Sequence, residues 1–246
     1  MSRIDKRALT KLEIIRVASK LFLENGYSNT AIKAICNELD MSPGNVTFYF
    51  PSKEHLLAEL VDMLCNFQWK LLEKEADNGY SPVMAICLEL TAMATMCEDD
   101  EIAKDFYLSA YSSPICLDII RRNDAERAKE IFREFKPDWT DEQFAEAEIL
   151  VSGIEYATLA TAGNPICLET RISGALNNIL QIFGIPEELR QQKIQRVFAL
   201  DYRSIGNRVL SEFKKYVDKA NEQALRDLLK NKGANAKPCY SAKQIS

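Results

Sequence analysis

Apolar residues recur every three or four positions along most of the chain, which is the spacing of amphipathic helices. The first such run lies between Thr10 and Phe22. It opens with a Thr10–Glu13 capping-box pair and stops at Asn25-Gly26. No segment shows the sustained alternation of apolar and polar residues that is typical of a β-strand. The pattern therefore predicts an all-α protein of about ten helices.

Several predicted helices begin with a capping residue followed by proline. At Ser42-Pro43 the serine can cap the helix, and the proline occupies the first helical position, where its missing N–H costs nothing. Other starts are predicted at Ser52 and at the Thr140–Gln143 capping box, and a last long helix at Ile185-Pro186. The pairing of cap and proline recurs at Ser81-Pro82, Ser113-Pro114 and Asn164-Pro165.

The second and third predicted helices have the spacing of a helix-turn-helix. A helix over about residues 31–39 is followed by a tight turn at Asp40-Met41 and a short helix from Ser42. The buried positions of this unit are predicted to be Ile32, Ile35, Met41 and Val46. We call residues 1–57 the head, with the helix-turn-helix at about 31–50, and residues 58–230 the body. Residues 231–246 lack apolar periodicity, so we expect a disordered tail.

Charge is distributed unevenly along the 246 residues. The whole chain has a net charge of −5, but residues 1–56 carry +2 and the remaining residues −7. A basic end on an acidic protein suits an anionic partner such as nucleic acid. The most apolar stretch, residues 149–168, contains Glu155 and is interrupted by Gly163, Asn164 and Pro165. We therefore expect no membrane span, no signal peptide and a cytoplasmic protein.

The residues needed for most catalytic and metal sites are missing from the sequence. His55 is the single histidine, and the seven cysteines are scattered without metal-ligand spacing. There is no glycine-rich phosphate loop. We therefore expect no catalytic residues, no metal, no cofactor and no enzymatic activity, with reduced and mostly buried thiols.

The run from Thr10 to Leu57 carries a combination of motifs at characteristic spacing: Gly26-Tyr27, Thr30, Ile35-Cys36, Ser42, Gly44, Tyr49-Phe50 and Ser52-Lys53-Glu54 before Leu56-Leu57. In this combination the sequence resembles the DNA-binding domain of the TetR family of transcriptional regulators. Two positions depart from the family pattern. Asp40 stands where the family usually has glycine, and Thr47 stands where it usually has tyrosine.

The resemblance implies a DNA-binding surface on the second, third and fourth helices: Lys33, Ser42, Pro43, Gly44, Asn45, Thr47, Phe48, Tyr49 and Lys53. Their chemistry fits this role. Asn45 can read an adenine edge, Phe48 or the Thr47 methyl group can meet a thymine methyl, and Tyr49 and Lys53 can hold phosphates. The alternative is that the aromatic residues 48–50 all belong to the core, which is the interpretation we favour for Phe50.

The resemblance also implies a homodimer and a ligand pocket in the body. The dimer would form through helices at about 141–161 and 166–183, whose small residues permit close approach, although both could instead be core helices. Glu155 could be a pocket acid for a cationic ligand or a helix-edge residue that reaches solvent. Candidate pocket residues are Cys65, Trp69, Met96, Phe106, Tyr107, Tyr111 and Glu155.

The resulting hypothesis is a ligand-responsive transcriptional regulator, a repressor that binds a palindromic operator in double-stranded DNA as a dimer. Its small-molecule effector is not identified by the sequence. The first alternative is an all-α ligand-binding or adaptor protein whose helix-turn-helix no longer reads DNA. The second alternative is a thiol-based redox sensor that uses Cys65, Cys87 or Cys97.

Overall fold

The computed structural model describes residues 6–77 and 79–230 and is helical throughout, with no strand in these ranges. Within them, no helix is both long enough and apolar enough to cross a membrane. The predicted all-α class is therefore confirmed. The described helices number eleven: α1 (Lys6–Asn25), α2 (Ile32–Leu39), α3 (Pro43–Tyr49), α4 (Lys53–Asp77), α5 (Pro82–Asp99), α6 (Glu101–Ser112), α7 (Pro114–Phe132), α8 (Asp141–Ala160), α9 (Leu168–Ile182), α10 (Glu187–Phe198) and α11 (Tyr202–Lys230).

Polar caps explain where several of these helices begin. The Ser42 and Ser81 hydroxyls accept the backbone N–H of the residue three positions later, as predicted. The capping box of Thr140 with Gln143 is complete at the start of α8. A cap missed by the sequence analysis is Asp100, whose carboxylate accepts the first free N–H groups of α6 and so separates α6 from α5.

Two predicted helix starts are wrong, and one helix with a correctly predicted start is shorter than expected. Thr10 lies inside α1, and its hydroxyl donates to the Lys6 carbonyl at 2.8 Å instead of capping the helix. Asn164 caps only a local turn, in which its side chain accepts the Ile166 N–H at 3.0 Å, and α9 begins at Leu168. The helix expected from Ile185 is two helices, α10 and α11, because the chain turns between Phe198 and Tyr202.

The head is a three-helix unit around a small apolar centre. Ile14 and Phe22 of α1, Ile35 of α2 and Val46 of α3 are fully buried. The turn between α2 and α3 requires a left-handed residue, and Asp40 supplies it with φ at 51°. Short polar side chains tolerate this conformation better than most, so the head keeps its turn without the usual glycine.

Helix α4 belongs to the head and to the body at once. Its 25 residues run without a break from Lys53 to Asp77, a length of roughly 37 Å at the usual helical rise. Its body portion packs on α5 and α7, and α11 returns from the far end of the body to pack along α1 and α5. One apolar core therefore continues from the head into the body. The expected disordered tail at 231–246 lies outside the described residues.

Helices α8 and α9 each bury one face and expose another. Four small or apolar residues of these helices, Ala147, Val151, Ile172 and Leu176, are buried inside the chain. The exposed side of α8 carries other residues, because a helix shows a different face every few positions. That side presents Ile149, Leu150, Gly153, Tyr156 and Ala157.

Candidate DNA-binding surface and body cluster

The N-terminus of α3 is open and its backbone is accessible. The Asn45 N–H donates to the Ser42 hydroxyl at 3.3 Å, and Pro43 occupies the first turn. A Cβ placed on Gly44 would meet nothing closer than the Ser42 hydroxyl at 4.0 Å. Packing within the chain therefore does not demand a glycine there, whereas a partner approaching the backbone from outside would.

The outward side of α3 carries side chains of mixed chemistry. Phe48 is 66% exposed, and the Tyr49 ring meets it edge-on, with centroids 5.3 Å apart. The Arg7 guanidinium lies 5.2 Å from the centroid of Phe48. The Thr47 hydroxyl donates to the Pro43 carbonyl at 3.0 Å, which turns its polar atom back onto the helix. In this arrangement Thr47 presents its methyl group more readily than its hydroxyl.

The aromatic run divides between core and surface. Phe50 is 3% exposed and completes the head core with Val46, as predicted, while Phe48 projects outward. Tyr49 is half-buried at the border between them. We call the exposed or half-buried side chains of this face the head face: Lys33, Ser42, Pro43, Gly44, Asn45, Thr47, Phe48 and Tyr49.

Lys53 is engaged within the chain. Its ammonium donates to the Tyr27 carbonyl at 2.9 Å and lies 4.1 Å from the centroid of the Tyr27 ring. Desolvation lowers the pKa of Lys53, and the charge of Asp105 opposes that shift. In this conformation the ammonium ties the start of α4 to the turn between α1 and α2. Contact with a phosphate would require it to leave Tyr27.

A carboxylate of the body holds the same turn of the head. Asp105 of α6 accepts the Ser28 N–H at 2.8 Å and also accepts the Ser28 hydroxyl. Gly26 in this turn has φ at 88°, and an added Cβ would lie 2.9 Å from an Asp105 oxygen. The close approach of Asp105 thus depends on glycine at position 26.

The predicted pocket residues do not form one cavity. Met96 and Tyr107 line a cavity of about 10 Å³ together with Phe67, Met93 and Phe213. This volume holds about one water molecule. Phe106 instead packs against Phe213, at a centroid distance of 6.0 Å. A drug-sized ligand could enter this conformation only if the helices moved apart.

The other candidates surround a buried polar network that the sequence analysis largely missed. The Tyr111 hydroxyl donates to Glu155 at 2.8 Å, and the Trp69 indole N–H donates to the Asn123 side chain at 2.8 Å. Cys65 is buried beside them. We call the acidic centre of this network, with its single arginine, the acid cluster: Glu89, Asp124, Arg127, Glu148 and Glu155.

Within the acid cluster Arg127 is 3% exposed and pairs with Glu89 and with Asp124, the latter at 3.1 Å. Gln68 donates to Glu89 at 2.6 Å. The sequence offered one usable sign of this arrangement. Glu148 and Glu155 are seven residues apart, so two turns of α8 place both on one face.

Burial controls protonation in the acid cluster. Desolvation and then the charge of Asp124 raise the pKa of Glu155 to about 8, although the Tyr111 hydrogen bond opposes the shift. Desolvation, followed by Asp124 and Glu155, raises the pKa of Glu148 well above its usual value. Glu155 therefore favours its neutral form near neutral pH, and the shift of Glu148 is in the same direction.

The cysteines are poorly placed for a thiol sensor. Cys65, Cys87 and Cys97 are buried, and desolvation raises the pKa of each thiol. Reactive cysteines need accessible thiolates, so this environment opposes oxidation at these three positions. Among residues 6–77 and 79–230, no three histidine, cysteine or acidic side chains are arranged to hold a metal ion.

The exposed start of α3, its left-handed entry turn and its anchoring on α1 and α2 have the geometry of a helix-turn-helix. Residues 14–60 match the family model for bacterial regulatory proteins of the tetR family. The head of this chain is therefore similar to proteins of that family over residues 14–60.

Individual relatives match shorter parts of the chain. The chain is 34% identical to the uncharacterized HTH-type transcriptional regulator YuxN of Bacillus subtilis over 80 residues, 32% of this chain and 28% of the relative. It is 36% identical to the HTH-type transcriptional regulator UidR of Escherichia coli over 52 residues, 21% of this chain and 26% of the relative. The matches thus span about a quarter of each relative's length.

The fold extends beyond the matched head. The crystal structure of RolR without ligand superposes with a TM-score of 0.57 at 17% identity, covering 74% of this chain and 95% of that protein. At this identity the likeness concerns the fold alone. It shows that the helical body, as well as the head, has a counterpart among solved structures.

The contact between Asp105 and Ser28 leads to a test of the link between body and head. We expect Asp105→Ala to raise amide hydrogen exchange in residues 26–30 by roughly tenfold or more, because two hydrogen bonds worth about 1 kcal/mol each are lost. Glu101→Ala, on the same helix with an exposed side chain, is the control. Equal exchange in the two variants would show that Asp105 does not hold the turn.

Proposed function

We propose that this protein is a ligand-responsive transcriptional regulator that binds double-stranded DNA through the head face. The observation that carries the proposal is the outward side of α3, where an exposed phenylalanine, an amide and a glycine with open space lie together. An exposed Phe48 costs hydrophobic free energy in the free protein. A base-edge contact, such as one with a thymine methyl group, would give it an apolar partner.

Each residue of the head face has a role in the proposal. The open backbone at Gly44 admits the sugar–phosphate chain, and the N-terminus of α3 favours its negative charge. Asn45 reads a base edge, Thr47 and Phe48 supply apolar contacts, and Tyr49 and Lys33 bind phosphates. Lys53 mainly positions the turn at Tyr27, and it becomes a phosphate ligand only if that contact opens.

Dimer formation is the second part of the proposal. One short recognition helix reaches few base pairs, so a two-fold dimer reading a palindromic operator provides specificity. The exposed side of α8 suits self-association because Ile149 is 54% and Leu150 59% exposed. A Cβ on Gly153 of α8, or on Gly174 of α9, meets no atom within 4 Å of the same chain. These open positions allow close helix contact between two copies.

Repression is the mode of action we propose, with release from DNA when an effector binds the body. The head and the body have different roles in this proposal, DNA binding and regulation. They are not separate folded units, because α4 runs across the boundary at residue 57. Two contacts can transmit a change in the body to the head: the continuous α4, and α6 through Asp105 and Ser28. An effector acts if it binds one arrangement of these helices better than another.

DNA binding is tested most simply with Lys33, which is exposed on α2. We expect Lys33→Ala to weaken binding to all duplexes and to reduce the slope of log affinity against log salt by about 0.9 per subunit, because one phosphate contact is lost. Fluorescence anisotropy with DNA from upstream of the gene measures both. Lys215→Ala, an exposed lysine of α11, is the control, and an unchanged slope for Lys33→Ala would refute the contact.

The dimer surface is tested at Leu150. A charge in the centre of an apolar interface is strongly unfavourable, so Leu150→Glu should convert the dimer into monomers at micromolar concentration in analytical ultracentrifugation. Leu229→Glu alters a leucine that is 44% exposed near the end of α11 and should leave the dimer intact. A wild-type monomer under these conditions would contradict this part of the proposal.

A further inference from the structure

The acid cluster contains more carboxyl groups than its own cation can pair with. Four carboxyl groups from three helices surround one arginine, and Arg127 makes its close contacts with Glu89 and Asp124. Glu148 and Glu155 of α8 are left without a cation of their own in the described part of the chain. Glu148 is buried and Glu155 is partly buried, and neither has an evident packing function, because apolar residues of similar volume would be at least as stabilising.

Glu148 gives the more specific indication of a missing partner. It is 3% exposed, yet no described residue forms a hydrogen bond or an ion pair with its carboxyl group. The Nε of Arg127, also buried, has no hydrogen-bond partner either. Buried polar groups are normally satisfied, so the unpaired carboxyl group of Glu148 indicates a missing partner, whereas the Arg127 Nε–H is a donor and needs an acceptor rather than a cation.

The surroundings of the acid cluster indicate the chemistry of the missing partner. Glu89 and Gln68 belong to the network and also line the small cavity described above. The other walls of that cavity are apolar or aromatic, so it favours an apolar group. Tyr111 and Trp69 are also hydrogen-bonded into the network, and aromatic rings favour cations.

We propose that Glu148 and Glu155 anchor the positively charged group of an organic cation whose apolar portion enters the adjoining core. This inference rests on the proposed function, since it names the chemical class of the effector. A compact metal ion is a poorer match, because no described group of three ligands is arranged for one. The ligand opens the cavity on binding, since the closed form holds about one water molecule.

Proton release accompanies binding in this account. A cation stabilises the ionised form of a carboxyl group, so the two glutamates lose protons when the ligand arrives. With the pKa of Glu155 raised to about 8, affinity should increase by up to roughly tenfold per pH unit below that pKa for each proton released. The ionisable groups that face the two glutamates from α5, α6 and α7 are Glu89, Tyr111, Asp124 and Arg127. Arg121 of α7 donates to Ser152, which lies between the two glutamates on α8, at 2.8 Å.

Isothermal titration calorimetry of the full chain tests the proposal with two cations, benzyltrimethylammonium and tetraphenylphosphonium. The uncharged counterparts are neopentylbenzene and triphenylphosphine oxide. We expect at least one cation to bind about tenfold or more tightly than its counterpart, because charge-assisted contacts with carboxylates add to apolar burial. Its affinity should increase from pH 6 to pH 8. Titrations in phosphate and in Tris should show net release of protons from the protein.

The double variant Glu148→Gln with Glu155→Gln assigns the effect to these residues. Glutamine resembles the protonated acid in shape and polarity, so we expect the fold and any binding of uncharged probes to be retained. The preference for the cation and its pH dependence should disappear. Glu126→Gln, an exposed acid of α7, should retain both. Equal affinity for cation and counterpart, no binding of either cation, or an unchanged preference in the double variant would overturn the proposal.

The same samples separate this inference from the proposed function. DNA affinity of the wild-type protein is measured alongside the calorimetry. If the protein binds DNA with the expected salt dependence but shows no cation preference, the acid-cluster inference fails and the regulator remains. If the cation binds and DNA does not, the inference stands as ligand chemistry and the regulatory role fails.

Discussion

The continuity of α4 is the constraint on which the rest of the structure depends. The first turn of this helix holds the Tyr27 carbonyl through Lys53, and its middle carries Gln68 and Trp69 into the buried polar network. A helix of 25 residues without an internal proline is stiff over its length. The head therefore cannot be reoriented relative to the body without displacing residues that also contact the acid cluster.

Helix α6 provides a second connection of the same kind. Asp105 holds the turn of the head at Ser28, and Tyr111, less than two turns further along, binds Glu155. Helices α4 and α6 thus both join the head to one charged region of the body. Each contacts the turn between α1 and α2, α4 through Lys53 and α6 through Asp105. A ligand that changes charge or volume near Glu155 acts on both connections. This arrangement gives the proposed regulation a physical path through named contacts.

The sequence could predict the head because its structure is determined locally. The cap at Ser42, the left-handed residue Asp40 and the inward positions of Val46 and Phe50 all follow from short-range rules, and each is confirmed. The body was less predictable because its organisation depends on contacts between distant segments. The pairing of Arg127 with Glu89 joins residues 38 positions apart, whose spacing has no periodic pattern. The division at Asp100 is made by a local cap that was missed. Local capping rules also failed at two residues. Thr10 lies inside a helix that has already begun, and Asn164 lies in a loop, where its side chain caps only a turn.

The central claim is that this chain meets DNA through the start of α3 and the adjoining part of α2. Hydrogen–deuterium exchange of the full chain, with and without DNA from upstream of its gene, tests it most directly. The account predicts slower exchange on DNA binding in residues 31–49, with no comparable protection in the central part of α11. Protection confined to the body, with residues 31–49 unchanged at saturating DNA, would contradict it.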